Sequence, residues 1–415
     1  MLQMLKTMSQ AVNCIATRAK ASANGVCARV ISLLICALSI VSCEPDIPMV
    51  NLGIDDTYTV ERMRTLILHP EYEGDHYAWR MGDEVISTDR DLVFCQAEAG
   101  TYQLQLEIHN DHPFYHIKHQ TTIVVFEEEV AYSPYIARVV AYCPAPGQFV
   151  NTMPEYEEGD TYAQMLRKAE EAIVGTQRSL ITLGGWGGYV IFAFDHSVVN
   201  RPQQSDFLIE GNAFYASSGN KNGSSEPGIV MVSMDRNQNG LPDDVFYELA
   251  GSEHADPATR HQYALSYYRT PDDHTPTPDT RNALSDTTYI RWQNNRGEQG
   301  YVHKNTFHTQ AYFPLWLSDT IVSFSGTCLP DNAIDQNGKW VLMPYDYGYV
   351  DSHPNDSISR CSFDIDWAIT TDGQAVYLPC IDFVRVYTGV QQQCGWIGEV
   401  STEISHACDL NLIQP

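Results

Sequence analysis

The feature that most constrains the fold is a period of two. Between residues 99 and 108, Tyr102, Leu104, Leu106 and Ile108 alternate with polar residues. Side chains of a strand point to opposite faces in turn, so this spacing predicts a strand with one buried face. Shorter strand-like runs follow at 91–94, 179–183, 189–194, 229–233, 320–324 and 383–387, and Tyr77-Ala78-Trp79 before Met81-Gly82-Asp83 reads as a strand entering a turn. The 24 Tyr, 14 Phe and 7 Trp suit pleated surfaces, and 27 Gly with 21 Pro supply the turns. The chain is expected to be all-β: a small sandwich over residues 44–128, a connecting segment over 129–178, and a larger sandwich over 179–415 with long polar loops at 252–286 and 328–360.

One segment breaks the period. Thr161, with Asp160 before it, caps a run that places Met165, Ala169, Ala172 and Ile173 on one face and stops at Gly175, which predicts an amphipathic helix. Charge narrows the possible partners. With 25 Lys+Arg against 52 Asp+Glu the net charge is -27, which excludes a phosphate-backbone partner, so nucleic acid is not expected. The first 43 residues hold Lys6, Arg18, Lys20 and Arg29 and no acid, then an apolar run over 30–41. That run is too short to span a bilayer and has the length of a signal-peptide core. The ending Ser39-Ile40-Val41-Ser42-Cys43 resembles a bacterial lipobox, which would make Cys43 the lipidated first residue of the mature protein. The following Glu44-Pro45-Asp46 resembles a surface-export signal. A lipid-anchored protein of the outer membrane, displayed at the cell surface, is the expectation.

The sharpest local motif is Asp235-Arg236-Asn237-Gln238-Asn239-Gly240-Leu241-Pro242-Asp243-Asp244. Asp235, Asn237, Asn239 and Asp243 fall at positions 1, 3, 5 and 9 of the calcium-loop template, Leu241 offers its carbonyl at 7, and Gly240 permits the turn at 6. Position 12 is Phe246 instead of a bidentate Glu. The run reads either as a Ca²⁺ site or as a turn that ties itself with Asx hydrogen bonds. Asp364 and Asp366 are expected on one strand face, with Asp382 nearby. Seven cysteines beyond Cys43 form no C-x-x-C pattern and carry no chemistry in this reading. No nucleophile elbow, zincin motif, Walker loop or dinucleotide fingerprint occurs, so no enzyme activity is assigned. Trp186, Trp340, Tyr345, Tyr347, Tyr349 and Trp396 sit in segments rich in Gly, Asn or Asp, and are the candidate ligand-binding aromatics.

The strand with Trp79, the turn at Gly82-Asp83 and the later Gly100-Thr101-Tyr102 strand resemble PKD-like, immunoglobulin-type domains of bacterial surface proteins. Further segments extend the likeness: Leu183-Gly184-Gly185-Trp186-Gly187-Gly188, Ser225-Glu226-Pro227-Gly228, the Asn/Asp loop, Tyr247-Glu248-Leu249-Ala250-Gly251-Ser252, and Gly398-Glu399-Val400-Ser401-Thr402-Glu403. Together they resemble PKD-containing cell-surface lipoproteins of Bacteroidetes. The resemblance implies a jelly-roll-like domain behind the PKD-like one. It also implies a nutrient-capture role beside a TonB-dependent outer-membrane transporter, with a corrinoid (cobalamin) as first ligand; a glycan, which the same aromatics and a structural calcium would serve, is the alternative. A glycan-active hydrolase or lyase using Glu226 or Asp364 stands third. No binding residues are carried over by the resemblance.

Overall fold

The computed structural model describes residues 51–111, 114–217 and 220–413. The leader and Cys43 lie outside them. The chain is all-β with few helical residues, arranged as sandwiches. The first is built from β1 (Thr57–Glu61), β2 (Leu66–Leu68), β3 (His76–Met81), β4 (Glu84–Ser87), β5 (Leu92–Phe94), β6 (Gly100–Asp111) and β7 (Phe114–Phe126). β6 and β7 form a long antiparallel hairpin, and the sheet runs β1-β7-β6-β3-β4 with β1 parallel to β7. The opposing layer is the pair β2–β5. Leu104, Leu106 and Ile108 are buried, as their period of two requires, and Trp79 lies opposite Leu106 with its Nε1 donating to the Arg90 carbonyl at 3.1 Å.

The larger sandwich centres on an antiparallel sheet. Its order is Ala368–Ile369, Tyr247–Leu249, Gly228–Ser233, Phe383–Thr388, Tyr189–Ala193, Arg138–Cys143, and Tyr349–Val350 also pairs with Gly228–Ser233. One face carries Val190, Phe192, Val230, Val232, Val384 and Val386 into the main core. Helix α1 (Tyr162–Ile173) covers that core beside strand Arg138–Cys143 and buries Met165, Ala169 and Ile173. Its capping box is complete, with Thr161 and Gln164 serving each other's backbone N–H.

A second antiparallel sheet of four strands runs Gln299–Asn305, Leu284–Asn294, Arg260–Tyr268, Ile321–Cys328. Its inner face wraps Tyr263, Leu265, Tyr267, Ile290 and Val302 around Trp186. The chain enters this contact through the glycine-rich turn after strand Ile181–Thr182. There Gly184 has φ +68°, and a Cβ would lie 1.9 Å from the Ala145 carbonyl oxygen, so glycine is required. The long-loop expectation is corrected in two places: strand Arg260–Tyr268 lies inside 252–286, and Ala333–Asp335, Trp340–Leu342 and Tyr349–Val350 lie inside 328–360. Asp364 and Asp366 do not share a strand face either. Asp364 caps the 3₁₀ turn Ile365–Trp367 by accepting from the Asp366 N–H at 2.8 Å.

Candidate functional site

The four-stranded sheet buries alternate residues around Trp186, and its other face is therefore turned to solvent. Across that face the register aligns Ile321, Tyr268, Arg291 and Tyr301 in one row, one residue from each strand. The Arg291 guanidinium lies over the Tyr268 ring, 4.1 Å from its centre, and stacks on that face of it. Tyr301 is 38% exposed and Ile321 50%. The next row along the strands is Ser323, Ser266, Gln293 and Gln299, with the two serine hydroxyls 2.7 Å apart. Beside the aromatic row opens a groove of about 660 Å³, lined also by Thr270, His274 and Tyr289. Flat faces flanked by amides and hydroxyls stack on apolar ring edges and fix their hydroxyl groups at the same time.

The six aromatics expected to bind ligand are not brought together. Trp186 is 1% exposed; its Nε1 donates to the Thr327 carbonyl at 3.2 Å and its edge meets Tyr263, which corrects the surface role expected of it. Tyr349 is 3% exposed and accepts from the Glu253 N–H at 3.0 Å, so it too is a core residue. Tyr345 packs edge-on to Tyr349 at 5.3 Å and its hydroxyl donates to the Pro330 carbonyl. Trp340 is half-buried against Gly395. Tyr347 and Trp396 are exposed, the first beside Trp367 at 5.3 Å and the second beside Phe307 at 5.9 Å. The row through Tyr268, Arg291 and Tyr301 was missed although its signal was present. Residues 290–293 read Ile-Arg-Trp-Gln, a period of two, but the partner strand Arg260–Tyr268 lies in a stretch whose polar composition resembles loop.

Two groups of oxygens bear on cation binding. In the calcium-template loop, Asp235 accepts from the N–H groups of Asn239 (3.1 Å) and Gly240 (2.7 Å), while the Asn237 and Asn239 amides both donate to Asp243, at 3.0 and 2.9 Å. Asn239 Oδ1 accepts from the Leu241 N–H at 2.7 Å. Elsewhere, Glu226, Asp351 and Glu403 place one carboxylate oxygen each within 4.8 Å of the others. Asp351 accepts from the N–H groups of Asn212 (2.7 Å), Ala213 (2.7 Å) and Glu403 (3.0 Å). Glu403 accepts from Thr182 Oγ1 at 2.9 Å and Ser401 Oγ at 2.6 Å. Burial pushes Asp351 up to about 6 and, with the charge of Asp351 beside it, Glu403 up to about 8; Glu226 moves the same way through burial and the charges of Glu403 and Asp351. Three hard oxygen donors of this kind could hold a divalent cation, or share protons without one.

Comparison with known proteins assigns one part of the chain. Residues 47–110 match the PKD-like domain family. The first sandwich carries a PKD-like domain. The match ends within β6, and β7 completes its sheet. No curated protein matches the chain. Solved structures with some likeness include a SusE-like protein (10% identity, 86% of this chain and 96% of that one, TM-score 0.26). A second is a structure described under the promiscuous specificity of β-sandwich carbohydrate-binding modules (8% identity, 84% and 91%, TM-score 0.15). A third is a quinonprotein alcohol dehydrogenase-like protein from Bacteroides thetaiotaomicron (10% identity, 62% and 62%, TM-score 0.17).

Proposed function

We propose that the protein is a non-catalytic binding protein that takes a glycan on the outer face of its four-stranded sheet. The observation that supports this is the row Ile321, Tyr268, Arg291, Tyr301, followed by a row of hydroxyls and amides. Four strands at a spacing of roughly 4.8 Å give a surface about 14 Å wide, which suits an extended oligosaccharide of a few rings. The PKD-like sandwich then acts as the spacer that carries this face. Lipid anchoring at the cell surface and a partnership with a TonB-dependent transporter belong to the same proposal and come from the sequence resemblance. Corrinoid capture, from the same resemblance, has no matching feature on this face and serves as the competing arm of the test.

The test is a glycan array and a cobalamin co-elution assay on the purified protein, each repeated with Tyr301→Ala and Arg291→Ala. Binding of at least one glycan, weakened about tenfold or more by each variant (about 1.4 kcal/mol), is expected. Co-elution of cobalamin without any glycan binding would overturn the reading.

A further inference from the structure

A second cavity lies on the face of the central sheet that points away from the main core. Strand Phe383–Thr388 sends Val384 and Val386 inward, so Arg385 and Tyr387 point to this side, with Ile191 and Met231 directly across from Arg385. An arginine in the middle of a strand of apolar residues needs a reason. Its guanidinium lies 4.1 Å from the centre of the Tyr189 ring and 5.7 Å from that of Tyr387. Its Nε is closed to solvent and has no hydrogen-bond partner. Among the described residues no carboxylate pairs with it, in a chain that carries 52 acids against 25 bases. The one acid in the same cavity is engaged elsewhere: Glu248 faces His254 Nδ1 at 3.0 Å and accepts from Thr327 Oγ1 at 2.6 Å. A half-buried guanidinium without a counter-charge is unfavourable, and its planar fork pairs bidentately with a carboxylate, as it does with a phosphate.

The cavity measures about 320 Å³ and is lined by Arg385, Glu248, His254, His261, Thr327 and Tyr387 among others. That volume is at the small end of ligand pockets and fits a single sugar-sized molecule. The His254 and His261 rings, 4.6 Å apart, line the same cavity with Glu248 and offer polar atoms to hydroxyl groups. We infer that this cavity binds a sugar acid, a pyranose whose carboxylate pairs with Arg385 while its hydroxyls face Glu248 and His254. The site is separate from the Tyr268–Arg291–Tyr301 face and does not rest on the reading of that face.

The test is calorimetric titration of the purified protein with free galacturonate and glucuronate, with neutral galactose as control. Two variants accompany it: Arg385→Gln, which removes the charge, and Thr371→Trp, which obstructs the cavity from an exposed turn position and leaves the core and the four-stranded sheet untouched. Uronate binding, at least tenfold weaker in each folded variant and stronger than galactose binding, is expected. Lack of uronate binding at millimolar concentration, equal binding of galactose, or unchanged affinity in Thr371→Trp would overturn the inference. Glycan binding that responds only to Tyr301→Ala would remain intact under any of these results, so the two readings fail separately.

Discussion

Trp186 and Trp396 carry the same indole in similar glycine-flanked settings, and the fold gives them opposite fates. Trp186 fills the centre of the four-stranded sheet's inner face, whereas Trp396 is 47% exposed. Trp186→Ala should therefore cost about 3–5 kcal/mol through the lost burial and the cavity left behind. Trp396→Ala should stay within about 0.5 kcal/mol of wild type. Urea denaturation of both variants checks the contrast, and equal losses would contradict it. Buried acids set a second residue-scale behaviour. Asp206 accepts from the N–H groups of Arg201 and Ile365, yet burial outweighs both bonds and pushes it up to about 7. Burial likewise pushes Glu399 up to about 8, with its Oε2 unpartnered. A carboxyl whose folded pKa lies above its unfolded value binds its proton more tightly when folded. Its contribution is complete below the unfolded value near 4 and is lost as pH rises through the folded value. Thermal melts should thus show Tm falling between about pH 5 and pH 8.5, with a shallower fall in Asp206→Asn. A Tm that rises over that interval would contradict the assignment.

Elements differ in how much of them could be read from sequence, and the reason is where their determinants lie. α1 was legible because everything that fixes it is local: Thr161 and Gln164 close the capping box, and Met165, Ala169 and Ile173 follow one face. Removing the cap with Thr161→Ala should lower stability by about 1 kcal/mol, measurable in the same urea titrations, and Thr161→Ser should restore most of it. β6 was legible for the same local reason, since its alternation is uninterrupted. Strand Arg260–Tyr268 was not, although Tyr263, Leu265 and Tyr267 alternate there too, because the Pro- and Asp-rich stretch that follows it resembles loop and drew the whole segment with it. Missing that strand hid the row that it completes. The convergence of Glu226, Asp351 and Glu403 was beyond sequence reading altogether, because it depends on strand ends far apart in the chain meeting in space. Asp364 and Asp366 show the converse: a spacing of two implied a shared face, and a single 3₁₀ turn removed it.

At the scale of the whole molecule the question is what joins the PKD-like sandwich to the larger one. Met63 is fully buried with Cys95, Val199 and Cys380, and its carbonyl accepts from the Ser197 N–H at 2.9 Å. The loop at 235–244 adds to this junction from the other side. Gln238 Nε2 donates to the Thr65 carbonyl at 3.0 Å, Arg138 donates to the Gly240 carbonyl at 3.0 Å, and the Asp235 N–H donates to Asp382 at 2.7 Å. A calcium ion in the loop would need the Asn237 and Asn239 amides to turn from Asp243 and present oxygen, with the Asp235 and Asp243 carboxylates and the Leu241 carbonyl completing the set. Because Gln238 lies within the same loop, ordering it would also hold Thr65, so the ion would stabilise the junction as well as the turn. Calcium in excess over its dissociation constant should then raise Tm, by mass action on the folded state, and chelation should lower it. Asp243→Asn should abolish the response, while Glu403→Gln, which changes the separate carboxylate group, should leave it intact. A response lost in Glu403→Gln and kept in Asp243→Asn would move the ion to Glu226, Asp351 and Glu403. No response in wild type would remove calcium from both.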